Sequence, residues 1–145
     1  MPEEFFGLPL HPLVVHAVVV LIPLTSLGLI VMASSGKRSQ RYAPAVVLIA
    51  SVAAVSAFAA KQSGEQLLQS RGPVQAQHYD YGHWLPWAAL GLLALVVLLV
   101  LMDRNSDGNR QPIGRVFAVV CVVAAIGAVA LTVLTGHSGA ELVWG

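Results

Sequence analysis

The chain has 145 residues, of which 57% are hydrophobic and only 10% charged, with a formal net charge of +1 and a mean hydropathy of +0.75. That composition excludes a disordered chain and is far from a soluble domain, where about a quarter of residues are charged. The near-neutral balance gives no footprint for nucleic acid, and the single Cys121 excludes an intrachain disulfide.

In chain order, four apolar runs stand out: Leu13 to Ala33, Ala43 to Ala60, Leu85 to Met102 and Val116 to Thr135, none of which contains Asp, Glu, Lys or Arg. At about 1.5 Å per helical residue each spans or nearly spans a hydrocarbon core of roughly 30 Å. The fold class expected is therefore all-α, a single integral membrane four-helix bundle over residues 1–145. The leader Met1 to Leu10 has two acids and no base, which is unlike a secretory signal.

Pro12, Pro44 and Pro86 read as first-turn prolines, where a missing amide hydrogen costs little, whereas Pro23 falls in the middle of the first span. Helices 2 and 4 are rich in Ala, Gly, Ser and Thr, and helix 3 in Leu and Val. Small residues permit close backbone approach in lipid, so helices 2 and 4 are expected to make the close contacts and helix 3 to show more surface to lipid or to a partner subunit.

Orientation follows from the basic residues beside the spans. Lys37, Arg38, Arg41, Arg104, Arg110 and Arg115 occupy the loops joining helix 1 to 2 and helix 3 to 4, against Lys61 and Arg71 on the other side. Six against two places those two loops in the cytoplasm and both termini outside it. The outer side is net negative and carries Phe5, Phe6, Tyr79, Tyr81, Trp84, Trp87 and Trp144, as an interfacial aromatic belt would.

The two halves of the chain echo each other. Helix 1 opens with His11-x4-His16 and helix 3 with His78-x4-His83; helix 2 leaves the membrane through Ser63-Gly64-Glu65 and helix 4 through Ser138-Gly139-Ala140-Glu141. This pattern suggests a duplicated helical hairpin, its halves related by an axis along the membrane normal. All five histidines then belong to the outer half. His16 lies inside a span, where an ionisable group is expected to face the protein interior. Residues five apart differ by about 140° around a helix, so one helix cannot grip an ion with both of its histidines. A site must draw on several helices, with His16, His78 or His83, and His137 as the best set and His11 in reserve. Gly82, Gly136 and Gly139 offer places where a flat ring could approach backbone.

These residues carry a resemblance to the bacterial membrane family called domain of unknown function 2231. The matching motifs are His11-Pro12-Leu13-Val14-Val15-His16, Ser63-Gly64-Glu65, His78-Tyr79-Asp80-Tyr81-Gly82 and Gly136-His137-Ser138-Gly139-Ala140-Glu141-Leu142-Val143-Trp144, with Ala140 standing for a usual glycine and Trp144 for a usual tyrosine. The resemblance implies four helices in the bacterial inner membrane, and it favours His78 over His83.

The functional expectation is a non-enzymatic protein that holds a transition metal ion or a haem b in a histidine cluster at its outer face, for electron transfer or a redox accessory role. His16 and His78 are the first-choice ligands, and His11 and His137 complete a metal site. Lys61 and Arg71 are candidates for haem propionates, and Glu65 and Glu141 for orienting imidazoles. The alternative is an accessory subunit with no cofactor, docked in a larger membrane complex or homo-oligomer. Ser63 and Ser138 lie near histidines, but no nucleophile elbow or zinc-protease motif accompanies them, which argues against a hydrolase. A small transporter or channel is harder to dismiss: the spans lack the charged residues that usually mark a pathway, but oligomerisation could create a pore that the monomer lacks. A cysteine introduced at Asn109 should resist an impermeant thiol reagent in intact cells and one at Gln69 should be labelled; the reverse pattern would invert the topology.

Overall fold

The computed structural model describes residues 4–5, 8–71 and 76–144. Two short strands, β1 (Glu4–Phe5) and β2 (Leu8–Pro9), pair antiparallel ahead of four helices: α1 (Leu10–Ala33), α2 (Gly36–Arg71), α3 (Ala76–Asp103) and α4 (Pro112–Trp144). All four are long and apolar enough to cross a membrane. At 36 residues, α2 runs about 54 Å, well beyond a bilayer core of roughly 30 Å. The apolar runs thus mark only the middle of α2 and α4, whose polar ends remain helical. Helix α4 continues through both Gly136 and Gly139.

Local chemistry explains the ends. Ser35 caps α2, its Oγ accepting the Arg38 amide hydrogen at 3.2 Å, and only Ser34 and Ser35 separate α1 from α2. Pro112 is the first residue of α4, where no amide hydrogen is needed. Pro12 lies in the first turn of α1 as expected, but Pro44 and Pro86 do not hold first-turn positions: α2 begins eight residues before the one and α3 ten before the other. Like Pro23, each interrupts the helical hydrogen-bond ladder from inside.

Sequential helices are neighbours, and α4 closes the square against α1, which leaves α2 and α4 on opposite corners. The expected α2–α4 contact is therefore not made. Small residues of α2 instead admit α1 and α3, with Ala50, Ala53, Ala54 and Ala57 buried. Gly28 of α1 meets Val46 so closely that an added Cβ would lie 2.8 Å from a valine methyl. Gly127 of α4, by contrast, has nothing within 4 Å. Helix α3 does not stand out as the lipid-facing helix either, since 33% of its span is buried, against 28% for α1 and α4. Around all four corners the outer surface is apolar, with Val20, Leu27, Leu48, Val55, Leu98, Val119, Val123 and Ile126 exposed, as a lipid environment requires.

At the end of the bundle where α1 meets α2, a charged pair is buried. Asp103 is 1% exposed, and the guanidinium of Arg110 grips it through Nε at 2.9 Å and Nη2 at 2.6 Å. The same guanidinium donates to the carbonyls of Met32, at 2.7 Å, and Ala33, which the end of α1 leaves without helical partners. Gln40 of α2 donates to the Asp103 carbonyl at 2.6 Å, as does the Ser106 hydroxyl at 2.9 Å. One clamp thus joins α1, α2, α3 and the α3–α4 loop. Arg110→Ala would leave a buried carboxylate and two carbonyls without their donor, so it should destabilise the detergent-solubilised protein by about 3–5 kcal/mol in equilibrium unfolding. A loss below about 1 kcal/mol would show that the clamp is solvated like a surface pair.

Candidate functional site

The opposite end of the bundle carries the histidines. His11 sits in the first turn of α1, half-buried against α2. Its Nδ1 lies 3.0 Å from Ser63 Oγ and 3.1 Å from the Ala60 carbonyl. The ring edge rests on Gly64, where an added Cβ would come within 3.0 Å of His11 Cε1. Glycine at 64 is thus what lets the imidazole approach the α2 backbone.

His78, near the start of α3, repeats this contact on α4. Its Nδ1 lies 3.2 Å from Ser138 Oγ, and an added Cβ at Gly139 would come within 3.0 Å of His78 Cε1. Each hairpin therefore opens with a histidine that seats on a Ser-Gly pair near the end of its own second helix. The sequence echo between the halves is an echo of contacts as well.

The hydrogen bonds also fix which ring nitrogen carries the proton. A serine hydroxyl has one proton to donate. Ser63 donates it to the Ala60 carbonyl at 3.0 Å and Ser138 to the Thr135 carbonyl at 3.0 Å. At His11 the Ala60 carbonyl can only accept, so Nδ1–H is the donor; at His78 the contact with Ser138 and that of Ser138 with the Thr135 carbonyl are made together when Nδ1 carries the proton. The Nδ1–H tautomer, with the lone pair at Nε2, thus satisfies the hydrogen bonds of both rings. That is the arrangement by which a protein orients a histidine for coordination through Nε2. The two rings stand on the diagonal helices α1 and α3.

The other expected site residues are not brought together with them. His16, taken as an inward-facing ligand, is exposed, and its Nδ1 donates to the Pro12 carbonyl of its own helix at 2.6 Å. The 140° separation from His11 turns it away once His11 faces α2. His137 is 72% exposed and lies 3.3 Å from Glu141 one turn on, so Glu141 orients no imidazole of the buried pair. Lys61 and Glu65 face each other at 3.9 Å on the α2 surface. Arg71 ends α2, and its side chain lies outside the described residues. His83 packs against Tyr79 and Trp84 on α3. Among the described residues no three His, Cys, Asp or Glu groups assemble a metal site, so the four-histidine set is reduced to the pair His11 and His78. Gly82 and Gly136 receive no ring, having nothing within 4 Å, whereas Gly139 does receive one, the imidazole of His78. The positioning roles of Ser63, Gly64 and Ser138 were not expected from the sequence, although their repetition was the visible signal.

A family model described as a predicted membrane protein of domain of unknown function 2231 matches residues 7–145. The chain belongs to that family. No curated protein and no solved structure matches it.

The two seats give a paired test. Gly139→Ala forces the His78 ring to shift and should lower the unfolding temperature. Gly136→Ala meets open space and gains up to about 1 kcal/mol of helix propensity, so it should leave that temperature unchanged or raise it. Equal effects of the two changes in thermal unfolding would mean that the imidazole is not seated on Gly139.

Proposed function

We propose that this member of the domain of unknown function 2231 family holds a transition metal, as an ion or as haem iron, between Nε2 of His11 and Nε2 of His78. The observation that carries the reading is the matched pair of hydrogen bonds to Ser63 and Ser138, which orients one imidazole from each hairpin and keeps each Nε2 lone pair available. Imidazole suits iron, copper, zinc and nickel, and two axial histidines are a common haem ligation. The basic residues gathered at the far end support a bacterial inner-membrane orientation with the histidine end and both termini outside the cytoplasm. A redox-active metal there would serve electron transfer across or along the outer face. The second reading, an accessory subunit without a cofactor, rests on the same hydrogen bonds taken as a clasp that closes each hairpin.

The readings part on protein purified from its native membrane. The metal reading expects a stoichiometric metal, with a Soret band if it is haem and without one if it is an ion. His11→Ala and His78→Ala should each abolish it, and His16→Ala, His83→Ala and His137→Ala should keep it. Wild-type protein that carries neither, and that takes up neither on reconstitution, would contradict the metal reading and favour the clasp.

A further inference from the structure

The clamp turns Arg110 inward, and the remaining cations at that end of the bundle form a collar. Lys37, Arg38 and Arg41 in the first turns of α2, Arg104 directly after α3 and Arg115 in the first turn of α4 are all exposed. Three separate segments supply them, and the loop conformation gathers them. Asp107 at φ 39° and Gly108 at φ +83° fold the α3–α4 loop back, so that a Cβ at Gly108 would lie 2.7 Å from Lys37 Cγ. Arg38 donates to Ser34 Oγ at 2.8 Å and Arg41 lies 5.7 Å over the Tyr42 ring, contacts that hold the side chains without neutralising them. Asp107 is the one exposed acid among the described residues of this end, and the described ion pairs involve none of the five cations.

The height of the collar is set by its neighbours. Tyr42, Leu101, Met102, Ile113 and Val116, adjacent or nearly adjacent to the cations in sequence, are exposed and apolar. The cations therefore stand where the exposed apolar surface gives way to polar residues, the boundary at which a bilayer carries its phosphates. A zwitterionic lipid carries its own ammonium beside the phosphate, whereas an anionic lipid such as phosphatidylglycerol does not. Several Lys and Arg beside a span attract anionic lipid through that net charge.

We infer that this collar binds the phosphate groups of anionic phospholipids in the leaflet that it faces. This is independent of the histidine site. The test uses the full-length protein in mixed phosphatidylcholine and phosphatidylglycerol vesicles, with spin-labelled versions of each lipid read by electron paramagnetic resonance. Spin-labelled phosphatidylglycerol should be immobilised at the protein surface roughly fivefold more readily than phosphatidylcholine, and raised salt should diminish the preference. The triple change Lys37→Gln, Arg41→Gln, Arg115→Gln should abolish the preference, and the charge-keeping triple Lys37→Arg, Arg41→Lys, Arg115→Lys should retain it. Equal immobilisation of the two lipids by the wild type, or a neutral triple that keeps the preference, would overturn the inference. So would its loss to inorganic phosphate but not to chloride of matched ionic strength, which would assign the collar to free phosphate.

Discussion

A serine in a helix has one hydroxyl proton, and Ser63 and Ser138 both give theirs to a carbonyl three residues back in their own helix. The histidine end is organised by that commitment. It leaves the serine oxygens as acceptors for Nδ1–H of His11 and His78, which places the lone pair of each ring at Nε2. The glycines beside the serines complete the arrangement, because only without a Cβ can an imidazole lie this close to the backbone.

The other end obeys the same constraint with charges in place of neutral groups. The last carbonyls of α1 point into the protein, where water cannot satisfy them, and Arg110 supplies the donors. A guanidinium so placed needs a counter-charge, which Asp103 provides from the end of α3. Between these two polar ends the bundle is held by apolar packing, with Ile22, Leu29, Val96, Leu99 and Cys121 fully buried. The polar ends thus determine how the helices are joined and registered, and the middle of each span meets lipid on one side and its neighbours on the other.

The spans were legible because uninterrupted apolar runs of that length have few other uses. The helix ends were not, because Gln66 to Arg71 and His137 to Trp144 carry no hydropathy signal and stay helical beyond the apolar stretch. Small residues announced close packing but not the neighbour: Ala53 and Gly28 serve sequential helices, and which pairs become diagonal depends on the closure of the square. His16 shows the same limit at the site. Its depth in the span suggested an inward group, yet direction around the helix decides what a side chain meets, and His11 takes the inward direction. Asp103 gave no signal in the sequence because its partner, Arg110, reaches it only after the loop has folded back. The repeated His and Ser-Gly motifs, in contrast, displayed in one dimension the contacts made in three.

The most direct measurement is nitrogen-15 NMR of the labelled imidazoles in bilayer-reconstituted, metal-free protein at a pH where both rings are neutral. His11 and His78 should each show a protonated Nδ1 and an unprotonated Nε2, and His78 should lose that bias when Ser138 is changed to Ala. A protonated Nε2 on either ring of the wild type would contradict the assignment of the lone pairs, and with it the two-histidine site.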